Sequence, residues 1–270
     1  MHTPPIILHF AFIFRASAGK LPAPASDFVR YFMTCFLTSR MDDPNTGELN
    51  TANRFADELR RHLPNPCRAL HICSDPDSWD VMDKYTAITR EMLENAGFRF
   101  ERFDPLDSRN ENLAEQLVGG SDLLILAGGH VPTQNRFFQK ISLRGLMQHF
   151  DGIVVGISAG SMNSADEVYA QPEEAGEALD PAYRRFLPGL GLTKTNLLPH
   201  YQENREDVLD GLRIYADIAC PDSMGRTFYA IPDGSYLLLD SGKEELRGEA
   251  YRIKDGTISQ ISACGDVLPL

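Results

Sequence analysis

Basic residues are scarce in this chain: 26 Lys and Arg stand against 38 Asp and Glu, a formal net charge of −12. No basic stripe offsets the deficit, which excludes nucleic acid as a partner, since grip on a phosphate backbone depends on Lys and Arg. The five cysteines, Cys35, Cys67, Cys73, Cys220 and Cys264, are an odd set with no CxxC pair. Neither a disulfide framework nor a zinc site follows, and the thiols suit a reducing compartment, so a cytoplasmic location is expected. Seven histidines include no HxH or HExxH pair. No metal and no cofactor are expected. No apolar run approaches the roughly 18 residues that span a bilayer, and no membrane partner is expected.

What is present is ordinary globular material. The 270 residues are 43% hydrophobic and 24% charged, enough for one large core. No internal repeat or low-complexity linker divides them, so residues 31–270 are expected to form a single domain. Ahead of it, Pro5 to Phe14 is an apolar stretch followed by Arg15-Ala16-Ser17-Ala18-Gly19. The stretch has some likeness to a secretory signal, yet it lacks a basic n-region and Arg15 interrupts it. Residues 1–30 are therefore expected to be a poorly ordered or loosely docked extension.

From Tyr31 onward strand-like runs alternate with amphipathic stretches, the pattern of an α/β fold whose mainly parallel sheet is covered on both faces. Strands are expected over 31–38, 67–73, 98–103, 122–127, 153–158 and 196–199. Helices are expected over 50–63, 78–96 with Ser78 as N-cap, 111–118, 135–150 and 205–220. Asp166 to Gly191 carries three prolines and the acids Glu173, Glu174 and Glu177, and reads as a long loop with one short helix. Strands over 227–231, 235–239, 248–253 and 257–262, joined by Asp-Gly turns, close the chain.

The chemistry concentrates at Gly156-Ile157-Ser158-Ala159-Gly160, where a strand breaks into a serine flanked by small residues. Such a turn holds the hydroxyl above the sheet next to a helix N-terminus. Serine is a poor nucleophile unaided, so a histidine base and an orienting carboxylate should accompany it. His200 follows Leu197-Leu198-Pro199 at a strand end and is the best base; His71 and His130 have structural alternatives. Asp233, just past another strand, is the carboxylate candidate, with Asp166 and Glu173 as rivals. Two converging N–H donors complete such a site, and the Ala159 amide and the Gly129 amide at the end of a neighbouring strand suit that task.

The order Ser158, His200, Asp233 departs from that of the α/β-hydrolases. Together with Leu126-Ala127-Gly128-Gly129, Pro199-His200-Tyr201 and Pro232-Asp233-Gly234, it resembles the peptidase E family of serine peptidases, which includes aspartyl dipeptidase and the more distant cyanophycinases. The resemblance spans Tyr31 to Leu239. It implies a three-layer, class I glutamine amidotransferase-like (flavodoxin-like) fold with added C-terminal antiparallel strands. It also implies a Ser-His-Asp exopeptidase acting through an acyl-enzyme, most naturally on dipeptides with an acidic N-terminal residue, and leaves a homodimer open.

This chain departs from the family in three places. It has Asp rather than Glu in the Pro-acid-Gly motif. Arg205, in Asn204-Arg205-Glu206, corresponds loosely to the arginine that holds an acidic side chain. Gly129-His130-Val131-Pro132-Thr133-Gln134 replaces Gly-Gly-Asn-Thr, so His130 and Gln134 are expected at the mouth of the site as substrate contacts. The acidic loop with Tyr169, Glu173 and Glu174 could instead receive a free α-amino group. The alternatives are a non-catalytic binding protein that retains the serine turn, and an amidotransferase-like amide hydrolase.

Overall fold

The computed structural model describes residues 33–270; the expected extension over residues 1–30 lies outside them. Strands β1 (Thr34–Thr38), β2 (Cys67–Ile72), β3 (Phe100–Leu106), β4 (Leu123–Leu126) and β5 (Ile153–Ile157) run parallel in the order β1-β5-β4-β2-β3. Between them lie α1 (Phe55–His62), α2 (Trp79–Asn95), α3 (Ala114–Gly119), α4 (Val131–Lys140) and α5 (Leu143–Leu146). The run β3-β2-β4-β5 repeats the flavodoxin-type order, with β1 added beyond β5.

Alternation along each strand makes the three layers. Cys35, Leu37, Leu124, Leu126 and Val154 point into one core with α3, α4 and α5, while Phe36, Leu123, Ile125 and Val155 point into another with α1. Both faces are buried, as a parallel sheet requires.

Helix α6 (Ala159–Met162) follows β5, and the hairpin β6 (Glu167–Tyr169) with β7 (Phe186–Pro188) follows α6. Then come β8 (Asn196–Leu198), α7 (Tyr201–Asn204), the two-residue strands β9 (Val208–Leu209) and β10 (Leu212–Arg213), and α8 (Cys220–Asp222). The chain ends in β11 (Thr227–Ala230), β12 (Tyr236–Asp240), β13 (Lys243–Arg247), β14 (Ala250–Lys254), β15 (Thr257–Ser262) and β16 (Val267–Pro269).

The C-terminal strands serve two sheets. β12, β13 and β16 extend the central sheet antiparallel from β1, and β8, β11, β14 and β15 form a second, four-stranded sheet. Phe228, Ala230 and Leu198 of that sheet pack with Ala159 and Met162 of α6. The second sheet is thereby fixed against the serine turn.

Several local expectations are corrected. Residues 205–220 are not one helix: Asp210 and Gly211, both at positive φ (54° and 83°), make the β9-β10 hairpin, and a π-turn over Ile214–Ala219 follows. Residues 166–191 hold the β6-β7 hairpin rather than a short helix. The helix expected over 135–150 starts at Val131, where Pro132 suits a first turn, and breaks at Ser142, whose φ of 54° is left-handed. Ser78 precedes α2 without capping it, because its hydroxyl donates to Asp75 at 2.6 Å.

Candidate active site

Ser158 leaves β5 at φ 49° and ψ −111°, a backbone geometry that costs on the order of 1–3 kcal/mol and persists only where its surroundings enforce it. They do so from both sides. Its N–H donates to the Thr38 carbonyl of β1 at 3.0 Å, and Ser161 Oγ donates to the same carbonyl at 2.8 Å. Across the turn, a Cβ on Gly160 would run into the Leu126 carbonyl of β4, so only glycine lets α6 approach the sheet this closely.

The second sheet delivers the partners. His200, just past β8, points Nε2 to within 3.0 Å of Ser158 Oγ, and its Nδ1 lies 2.8 Å from Asp233 Oδ1. Because β8 and β11 run parallel, with Leu198 paired to Ala230, the residues that follow them emerge side by side. An ionised carboxylate only accepts, so Nδ1 carries the proton toward Asp233 and Nε2 is left to accept from the Ser158 hydroxyl.

Asp233 is buried, with 7% of its side chain exposed, whereas His200 is half-buried. Burial pushes the carboxyl upward. The hydrogen bonds from His200 and Ser39 and the charge on His200 outweigh it, holding Asp233 below the usual carboxylate value. Its backbone N–H donates to Gln202 Oε1 at 2.9 Å. Oδ2 has no hydrogen-bond partner among the described residues and faces the Arg40 guanidinium at 3.9 Å.

Ser39 was not visible as a site residue in the sequence. Fully buried just after β1, it donates to Asp233 Oδ1 at 2.6 Å and accepts from the His200 N–H at 2.8 Å. The one available signal was its place at the C-terminal end of a central strand, the edge where α/β sheets gather their sites.

Gly128 lies against Ser158, its Cβ direction ending 3.4 Å from the serine Cβ. Gly129 follows at φ 148°, where a side chain would collide with Ser74, and its N–H finds no acceptor among the described residues. Ala159 opens α6, so its N–H lacks an intrahelical acceptor. The Ala159 amide follows the serine directly, and the Gly129 amide follows the glycine that lies against it.

The other expected contacts fall elsewhere. Gln134 is fully buried, with Nε2 donating to the Ala127 carbonyl at 2.7 Å and Oε1 accepting from Asn163 at 3.0 Å, so it supports the Gly128-Gly129 turn rather than the mouth. His130 meets Thr133 Oγ1 through Nδ1 and Glu177 Oε1 through Nε2, each at 2.8 Å. Glu177 Oε2 in turn accepts from the Glu173 and Glu174 amides at 2.9 and 3.0 Å, which makes His130 the anchor of the acidic loop. Asp166 pairs with Arg144 at 2.7 Å.

A cavity of about 250 Å³ opens onto Ser158 and His200 and is lined also by Met162, Gln171, Glu173 and Asp207. Arg205 is not in that lining; it is exposed, 3.8 Å from Glu206. Two side-chain triplets have metal-ligand character, His130 with Glu174 and Glu177, and His200 with Glu203 and Asp233. In each the histidine is already hydrogen-bonded at both ring nitrogens, and a metal would have to displace one of those bonds. Among the described residues no helix is long and apolar enough to cross a membrane.

Among curated protein sequences no match is found. Of solved structures, a peptidase from an acI-B1 Actinobacterium superposes with a TM-score of 0.60 at 17% identity, covering 90% of this chain and 98% of its own. A putative peptidase E protein from Listeria monocytogenes EGD-e gives 0.49 at 15% identity, over 85% and 98%. The first likeness carries the fold alone. The sequence profile of peptidase family S51 matches residues 49–246, most of the chain. The chain belongs to this family, the peptidase E family of serine peptidases.

Proposed function

We propose that Ser158, His200 and Asp233 form the catalytic triad of an exopeptidase that hydrolyses short peptides, dipeptides foremost. The observation that carries the reading is the continuous hydrogen-bonded line from Ser158 Oγ to His200 Nε2 at 3.0 Å and from His200 Nδ1 to Asp233 at 2.8 Å. His200 takes the Ser158 proton on Nε2 as Oγ attacks the scissile carbonyl, and Asp233 stabilises the resulting imidazolium. The Gly129 and Ala159 amides donate to the developing oxyanion. His200 passes the proton to the leaving nitrogen, the C–N bond breaks, and an acyl-enzyme remains. A water then attacks the ester carbonyl as it gives a proton to His200, and His200 returns that proton to Ser158 Oγ as the acyl C–O bond breaks and the acid product leaves.

The cavity's small volume suits a peptide terminus better than a chain running through. An acidic first residue, expected from the family resemblance, would meet no Arg or Lys in that lining. The test is hydrolysis of a dipeptide panel, read as release of free amino acid. Ser158→Ala and His200→Ala should each lower kcat by about 10⁴-fold or more. Retention of even a tenth of the activity in either variant would refute the proposed roles.

A further inference from the structure

Several carboxylates in the segments that supply this cavity's lining are paired within the protein: Glu177 by His130 and two amides, Asp222 by Arg185, and Asp217 by Arg213. Asp210 likewise accepts from the Gly176 and Ala178 amides. Glu173 and Asp207 are different. Both line the cavity that opens onto Ser158, and among the described residues neither carboxylate has an ion-pair or hydrogen-bond partner. The same lining contains no Arg and no Lys.

We propose that Glu173 and Asp207 make this cavity a receptor for a cationic peptide terminus, taking a free α-ammonium group together with a neutral or basic first side chain and rejecting an acidic one. The inference rests on the peptidase reading for the identity of the occupant, and gives that site its substrate class. An ammonium or guanidinium entering between Glu173 and Asp207 draws the proton off Glu173 and gains charge-assisted hydrogen bonds to both carboxylates, whereas a substrate carboxylate there meets the Asp207 charge and is repelled.

The position of Glu173 is built rather than incidental. Its backbone N–H is tied to Glu177, and Glu177 is tied to His130 just past the Gly128-Gly129 turn. The chain holds Glu173 there against an electrostatic cost. Glu173 is exposed on one side, and its partial desolvation together with the charges of Glu177 and Glu174 pushes its carboxyl up to about 8. A cation bound beside it relieves that cost.

Calorimetry on Ser158→Ala separates binding from turnover. Lys-Ala should bind about tenfold or more tighter than Asp-Ala, with Ala-Ala between them. Adding Glu173→Gln and Asp207→Asn should collapse the difference to about twofold. A salt titration of Lys-Ala binding to Ser158→Ala needs no further substitution, and affinity should fall as ionic strength rises. Equal or tighter binding of Asp-Ala, no binding of any of the three at millimolar concentration, or an unchanged preference in the folded triple variant would overturn the proposal. Fluorophosphonate labelling of the unsubstituted protein reports separately on the peptidase reading. Absent labelling with basic selectivity intact would sink the triad and spare the receptor; labelling with acidic selectivity would do the reverse.

Discussion

Ser39 donates its hydroxyl to Asp233 Oδ1 at 2.6 Å, the same oxygen that His200 Nδ1 approaches at 2.8 Å, and receives the His200 backbone N–H at 2.8 Å. One small buried residue just past the central sheet thus ties together two residues that follow strands of the second sheet. Replacing it by alanine leaves a buried N–H unpaired and loosens the carboxylate, which costs about 1–3 kcal/mol of stability. Ser39→Ala should lower the unfolding free energy by that amount in urea titrations and lower kcat about tenfold with little change in KM. Ser39→Thr, which keeps the hydroxyl, should restore part of kcat.

Asp233 is expected to lose its contribution in acid. Its carboxyl lies below the usual value when folded, so the unfolded state binds the proton more readily, and the stability it supplies is full above about pH 4 and lost as pH falls through the folded value. The melting temperature of the parent should exceed that of Asp233→Asn at pH 6, and the gap should close in acid. At neutral pH the same substitution should lower kcat by about 10²- to 10⁴-fold, because Asn no longer fixes the tautomer that leaves Nε2 free.

Glu173 should behave in the opposite sense. Its carboxyl is pushed up to about 8, so between about pH 4.3 and 8 the folded state holds a proton that the unfolded state has released, and stability falls as pH rises through that window. Glu173→Gln removes the penalty. Its melting temperature should match the parent near pH 4 and exceed it at pH 9, while KM for a lysyl dipeptide rises, a trade of stability for function.

Gln134 is a test of scaffold against substrate contact. Gln134→Leu strands the Ala127 carbonyl and the Asn163 amide, each buried, at about 1–3 kcal/mol apiece. Chemical denaturation should show a loss of about 2–5 kcal/mol, and binding of Lys-Ala to a Ser158→Ala background at low temperature should stay within about threefold.

The site's three aligned residues were legible because each follows a strand in a local motif: Ser158 between Gly156 and Gly160, His200 after Leu197-Leu198-Pro199, and Asp233 in Pro-Asp-Gly. The parallel strands were legible as apolar runs. What escaped depended on pairing over distance. Ser39 carries no motif, and its role arises from contacts 161 and 194 residues away. No strand is expected between residues 239 and 248, yet Lys243–Arg247 is β13, where the Glu244 carboxylate accepts from Thr193 and Thr195 at 2.8 Å each. The expected helix over 205–220 failed because the Asp210-Gly211 turn outweighed helical spacing, and Gln134 was misplaced at the mouth because sequence distance to Gly129 says nothing of which way a helix turns its side chains.

The most direct test of the account is fluorophosphonate labelling followed by peptide mapping. The account predicts one covalent adduct, on Ser158, formed in the folded protein and abolished by His200→Ala or by urea. No adduct on the folded protein, or an adduct on a different serine, would contradict it.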